Sequence, residues 1–190
     1  MSYNPEIHHR HSIRLKGYDY SQAGLYFITI CSQYKIHLFG TIVNNTMMLN
    51  DIGKIVDEEW VISEKIRDEI KLHEYIIMPN HLHAIVEIVG ANGRSPVHGF
   101  ALQAKSIGSL MSGFKSSATV RINKMRKSPW QAVWQRNYWE HIIRNENEYF
   151  RIAEYIRNNP LKWKNDKLNN GNGNIVLEKR NEYGYEDWMV

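Results

Sequence analysis

One cysteine, five prolines and no long apolar run are the scarcities of this 190-residue chain. A lone thiol, Cys31, excludes any disulfide framework within the chain and fits a reducing compartment; set in an apolar stretch, it reads as a small buried hydrophobe. The longest apolar run, Leu25 to Cys31, falls far short of the roughly 20 residues that a membrane-spanning helix needs. Met1 to Lys16 carries His8, His9, Arg10, His11, Arg14 and Lys16 without the apolar core of a signal peptide, so the expected location is cytoplasmic, with no membrane partner. Acidic charge is only slightly outnumbered. The 24 Lys and Arg against 20 Asp and Glu leave +4, a lean towards a polyanionic partner too small to decide the class of protein.

What is present suffices for one core, since 43% of the residues are apolar. Leu25-Tyr-Phe-Ile-Thr-Ile-Cys31, aromatic and β-branched, reads as a buried strand. Asn50 or Asp51 can cap a helix in which Ile52, Ile55, Val56, Glu59 and Trp60 recur at helical spacing, fading after Arg67. Leu72 to Met78 and His81 to Val89, parted by Pro79-Asn80, form a hairpin candidate. After a loop-like stretch from Gly90 to Pro96, Lys105 to Lys127 repeats Ile107, Leu110, Met111, Phe114, Ala118, Ile122 and Met125 at spacings of three and four, with a basic opposite side. Val133 to Arg136 reads as a short strand. Asn145 to Asn158 is again helical, with Pro160 expected to end it. The order β-α-β-β-α-β-α predicts an α+β fold, a ferredoxin-like antiparallel sheet covered by helices. One domain is expected over residues 1–164. Residues 165–190 read as a flexible Asn/Gly linker and an acidic, aromatic tail.

Two constellations carry possible chemistry. His81 and His83 are two apart on a predicted strand, so both imidazoles project from one face, followed there by Ile85 and Glu87. Such a pair is either a divalent-metal clip that leaves coordination positions open or two polar residues at a strand end. Tyr155 and Asn159, four apart, share a helix face, so a phenol and an amide oxygen can serve one place, the oxygen as a ligand for a hard cation. The other reading of Tyr155 is a core residue beside Ile152 and Ile156.

Five segments carry a resemblance: Met78-Pro-Asn-His-Leu-His83, Ser109-Leu-Met-Ser-Gly-Phe-Lys115, Trp134-Gln-Arg-Asn-Tyr138, His141-Ile-Ile-Arg144 and Tyr155-Ile-Arg-Asn-Asn-Pro160. In order and spacing they resemble the IS200-like single-tyrosine transposases, above all the REP-associated tyrosine transposases. Arg14-Leu-Lys-Gly-Tyr-Asp-Tyr20 looks like that branch too, so the resemblance spans residues 10–164. It implies an HUH nuclease fold in which His81 and His83 are the metal pair, Tyr155 the nucleophile and Asn159 the third ligand, with Mg²⁺ or Mn²⁺ as cofactor. Leu82 is an admitted middle residue, and at position 159 the insertion-sequence relatives often have the longer glutamine. The implied substrate is single-stranded or hairpin DNA. The implied assembly is a monomer, as in REP-associated relatives, or a homodimer, as in insertion-sequence ones.

Tyrosine, with an ordinary pKa of about 10, needs a cation or a base to become a competent nucleophile. Attack on a phosphodiester would leave a 5′-phosphotyrosine and a free 3′-hydroxyl, reversible without ATP. Tyr149 lies about 240° round the helix from Tyr155 and reads as core, which fits a one-tyrosine mechanism. Candidate phosphate contacts are Arg14, Lys16, Lys115, Arg121, Arg136 and Arg144, each otherwise a solvated surface charge. Trp130, Trp134, Tyr138 and Trp139 are either base-stacking platforms or core, and His141 reads as a cap of local structure. From its acidic, aromatic composition after a flexible linker, the tail is expected to fold over the DNA groove with Glu178, Glu182 and Glu186 imitating phosphates. Two rival readings are a non-cleaving DNA-binding protein descended from such enzymes and a metal-dependent phosphoesterase in which Tyr155 is structural.

Overall fold

The computed structural model describes residues 22–89 and 106–169. Four strands, β1 (Gly24–Cys31), β4 (Ile70–Ile77), β5 (His81–Ile88) and β6 (Trp139–Ile143), form a sheet in the order β4-β5-β1-β6 with every neighbouring pair antiparallel. Helices α1 (Asp51–Lys65) and α2 (Ile107–Arg126) cover one face, and α3 (Glu146–Lys162) covers the other. This is the expected ferredoxin-like α+β arrangement.

Alternation along β5 makes the division of labour. Leu82, Ala84, Val86 and Ile88 point into the core under α1 and α2, with Tyr26, Ile28 and Ile30 of β1, Trp60 of α1 and Leu110 and Phe114 of α2. The odd-numbered residues face α3, where Phe27, Ile85, Trp139 and Ile143 meet Ile152, Ala153 and Ile156. Caps fix the helix ends. Asn50 accepts from the Gly53 amide at 2.9 Å, Ser106 and Ser109 form a reciprocal capping box, and Asn145 accepts from the Glu148 amide at 2.9 Å.

Three expectations are corrected. A hairpin of β2 (Gly40–Val43) and β3 (Thr46–Leu49) precedes α1, turned by Asn44 and Asn45 at φ 49° and 61°; asparagine tolerates that left-handed pair, and the Asn-Asn signal went unread. Val133 to Arg136 is not a strand: only a single bridge, Ser32 to Trp134, forms there, and the pairing with β1 begins at Trp139. Finally, α3 does not stop before Pro160 but runs to Lys162. Proline removes the N–H that would close on the Ile156 carbonyl, but only the last turn lies beyond it, and the Trp163 N–H closes that turn on the Pro160 carbonyl.

The fold continues past residue 164. Trp163–Asn165 forms a 3₁₀ turn, and the Asn169 amide then closes on the Asp166 carbonyl at 2.9 Å. Residues 170–190, with the acidic tail, and the N-terminal arm with Arg14 and Lys16 lie outside the described residues. Among the described residues no helix is long and apolar enough to cross a membrane.

Candidate active site

Register builds the site. In the β1-β5 pair, Cys31 stands opposite His81 and Thr29 opposite His83, and Thr29 is also opposite Trp139 of β6. Both histidines therefore face α3 from the centre of the sheet, at the end of β5 that follows the Pro79-Asn80 turn. Both are buried, and their ring centroids lie 4.4 Å apart.

Each imidazole is oriented by a polar neighbour. The Asn80 side chain is buried, and its Nδ2 donates to the carbonyls of Lys35 at 2.9 Å and Leu168 at 2.7 Å. Its oxygen is thereby turned to His81 Nδ1 at 2.8 Å. An amide oxygen only accepts, so His81 carries its proton on Nδ1 and presents a bare lone pair at Nε2. That Nε2 is buried and has no hydrogen-bond partner. His83 Nδ1 lies 2.7 Å from Thr29 Oγ1, and its Nε2 lies 3.3 Å from the Tyr155 hydroxyl.

Electrostatics keep both rings neutral. Burial pushes His83 down to about 3, and burial with the nearby His83, Lys35 and His37 pushes His81 well below the usual histidine range. Neutral imidazole is the form that binds a metal.

On α3, Tyr155 and Asn159 share the face that meets the pair. The Tyr155 ring packs on His83 at 5.3 Å between centroids and edge-on to Phe27 at 6.2 Å. Asn159 is buried, and its Oδ1 has no hydrogen-bond partner. A buried amide oxygen and a buried imidazole nitrogen without partners cost free energy in an apolar setting, and a cation drawn to both removes that cost. The donor set thus fits a divalent metal.

Sequence reasoning missed Asp166, on the turn after α3. Ligand atoms of His81, His83 and Asp166 all lie within 4.8 Å of one another. Its position, in a stretch that reads as the start of a linker, gave no signal. Asn80 and Thr29 were also missed as orienting groups: the first reads only as a turn residue, and the second needs the strand register to be found.

The remaining candidates separate. The Lys115 ammonium donates to the carbonyls of Gln135 at 2.6 Å and of Arg136 and Asn137 at 3.2 Å each, and burial lowers it to about 8. Arg121 is paired with Glu58 and Glu59, joining α2 to α1 on the far side of the sheet. Arg136 and Arg144 are exposed. Trp134 and Trp139 are in the core and Tyr138 is half-buried, whereas Trp130 is 97% exposed. His141 bonds Glu148 at 2.7 Å, and Glu148 also accepts the Arg144 amide, so His141 caps the β6-α3 junction. The Tyr149 hydroxyl donates to Glu74 at 2.8 Å; burial and that carboxylate push it up to about 12, far from a nucleophile's range.

No family model matches the chain. It is 45% identical over 175 residues to an uncharacterised protein of Haemophilus influenzae, covering 87% of this chain and 96% of that protein. A second Haemophilus influenzae protein, provisionally named a REP-associated tyrosine transposase, is 24% identical over 145 residues, covering 76% of this chain and 74% of that one. A solved structure of a REP-associated tyrosine transposase bound to a REP hairpin superposes with a TM-score of 0.57 at 17% identity, covering 84% of this chain and 81% of that one. The chain belongs to one family with the uncharacterised Haemophilus influenzae protein, and its fold is that of the REP-associated tyrosine transposases.

Proposed function

We propose that the chain cuts and rejoins single-stranded or hairpin DNA, with Tyr155 as nucleophile and a divalent cation, Mg²⁺ or Mn²⁺, held by His81, His83 and Asn159. The observation that carries the reading is the meeting of Tyr155 with His83 at 3.3 Å, beside a His81 whose buried Nε2 lacks a partner, with the buried, likewise unpartnered Asn159 oxygen one helical turn along α3. The REP hairpin held by a protein of the same fold supports DNA as the substrate.

The residues divide the work. Asn80 and Thr29 fix the two imidazoles, so the ligand atoms stand ready without reorganisation. Packing on Phe27 and His83 holds the Tyr155 ring, which limits the directions from which its oxygen can approach phosphorus. A divalent cation held by His81, His83 and Asn159 would supply charge withdrawal at the phosphate. In the displacement, the Tyr155 oxygen gains a bond to phosphorus and loses its proton, while the phosphorus–O3′ bond breaks and the 3′-oxygen leaves as a hydroxyl. The phosphotyrosine ester keeps the bond energy, so an incoming 3′-hydroxyl reverses the step and joins strands.

Labelled hairpin and single-stranded DNAs incubated with Mg²⁺ or Mn²⁺ and resolved on denaturing gels test this. A covalent protein-DNA adduct is expected from the native chain and not from Tyr155→Phe or His81→Ala. Cleavage that survives Tyr155→Phe without an adduct would replace this reading with the phosphoesterase; binding with no cleavage under any divalent metal would replace it with the DNA-binding protein.

A further inference from the structure

We propose that Asp166 is a carboxylate ligand of the same cation, making the centre His81, His83 and Asp166 with the Asn159 amide oxygen beside them. The inference rests on the reading that a cation binds the histidine pair. Without Asp166 the donors are two neutral imidazoles and a neutral amide, a set with no negative charge. Hard cations such as Mg²⁺ and Mn²⁺ favour carboxylate oxygen, and each formal charge among the ligands strengthens their binding.

Placement favours Asp166 for that role. It belongs to the one group of three metal-ligating side chains found among the described residues, with ligand atoms within 4.8 Å of one another. Ligands about 2.1 Å from a cation lie at most about 4.2 Å apart across it, so rotamer-scale adjustment closes the set. The other acidic side chains on this face are engaged elsewhere: Glu87 with His73, Glu74 with Arg157 and Tyr149, and Glu148 with His141.

The turn that carries Asp166 is docked on the site. Asp166 Oδ1 accepts the Leu168 amide at 2.6 Å, and the Leu168 carbonyl accepts from the same Asn80 amide group that orients His81. Asn169 Nδ2 donates to the Trp163 carbonyl at 2.9 Å, and the Trp163 ring lies 6.0 Å from that of His81. Asn80 therefore ties the imidazole and the carboxylate-bearing turn together. A cation bridging His81 and Asp166 would brace the turn from its other side, so loading the metal should slow opening of residues 163–169.

Mn²⁺ titration of the full chain, followed by the loss of the free-ion spectroscopic signal, tests the assignment against Asp166→Asn and His81→Ala. Asparagine keeps an oxygen for the Leu168 amide, so the metal-free unfolding midpoint should match that of the native chain. Mn²⁺ affinity should fall at least about tenfold, a loss seen even for groups that only orient ligands. Native affinity in Asp166→Asn alongside lost binding in His81→Ala overturns the Asp166 ligand and leaves the histidine site standing. Native affinity in His81→Ala removes the cation reading itself. Hydrogen exchange on the native chain is independent of either variant: amides of residues 163–169 should exchange more slowly with Mn²⁺, and unchanged exchange overturns the proposal.

Discussion

The two faces of the sheet are built to different rules. Under α1 and α2 the buried side chains are almost all apolar, and the polar ones are matched: Glu59 with Arg121, Ser63 with the Glu59 carbonyl, Asn123 with the Gln131 carbonyl. Among the described residues, the indole N–H groups of Trp60 and Trp134 and the Nε of Arg126 lack partners there, and all of these are donors rather than metal-ligating lone pairs. Under α3 a smaller apolar cluster fills one end, and His81, His83 and Asn159 take the other, with ligand-type lone pairs left unmatched. One strand, β5, serves both faces through alternation alone. The first face stabilises the fold, and the second uses that stability to hold polar atoms where they are costly.

That contrast is broken most sharply by chemistry at the second face. Tyr155→Phe should reduce adduct formation by more than about a thousandfold, since the variant has no nucleophilic oxygen. Its stability should change by about 1 kcal/mol, because the bond of the hydroxyl to His83 is long. Tyr149→Phe should leave cleavage within a few-fold of native. A comparable loss in both variants would mean that the phenol near His83 has no special role. The reverse pattern belongs to the first face: Trp60→Ala should lower the unfolding free energy by about 3–5 kcal/mol in urea titrations, while Mn²⁺ affinity of the folded fraction stays native.

Acid should find the second face first. In the metal-free protein His83 sits at about 3, against about 6.5 when unfolded, so the unfolded chain takes up the proton earlier. Its contribution is complete above about pH 6.5 and is lost as pH falls towards about 3, at up to about 1.4 kcal/mol per pH unit. His81 acts with the same sign. The side chains against His83 are His81 on β5, Thr29 and Phe27 on β1, Tyr155 on α3 and the Asp166 carboxylate within 4.8 Å, and burial outweighs them all in holding His83 low. Carboxylates held low, such as Glu59 and Glu148, act with the other timing, losing their contribution only below about pH 4.5. Urea titrations should therefore show stability falling already between pH 6.5 and 4.5. His83→Gln should flatten that slope, and an equal slope in the variant would assign the loss elsewhere.

Sequence reading reached the two faces unequally. The α1 and α2 face was legible because period-2 and helical patterns of apolar residues report burial directly, as with Ile107, Leu110 and Phe114. The four candidate site residues on the other face came from spacing and resemblance together; His81, His83 and Tyr155 meet there, and Asn159 is buried one helical turn from Tyr155. What stayed hidden depends on tertiary contact. Asn80 reads as a turn residue until its amide meets Leu168, 88 positions away, and Thr29 as a strand residue until the register sets it opposite His83. Asp166 was lost to composition, since the Asn- and Gly-rich stretch after it made the whole segment read as linker.

The smallest expected effect separates charges that grip DNA from charges that hold the fold. Lys115, Arg121, Arg136 and Arg144 look alike in sequence, yet the first two have structural partners while the last two side chains reach solvent. A side chain that contacts a phosphate releases counterions on binding, so its removal should lower the magnitude of the salt slope of log affinity by about 1. Arg136→Ala and Arg144→Ala should each show that change with a native unfolding midpoint. Lys115→Met should leave the slope unchanged and lower stability by about 1–3 kcal/mol, because three carbonyls of the 135–137 loop lose their donor. Should Lys115→Met shift the slope instead, its ammonium must leave those carbonyls when DNA binds, and the loop that carries Arg136 must move with it.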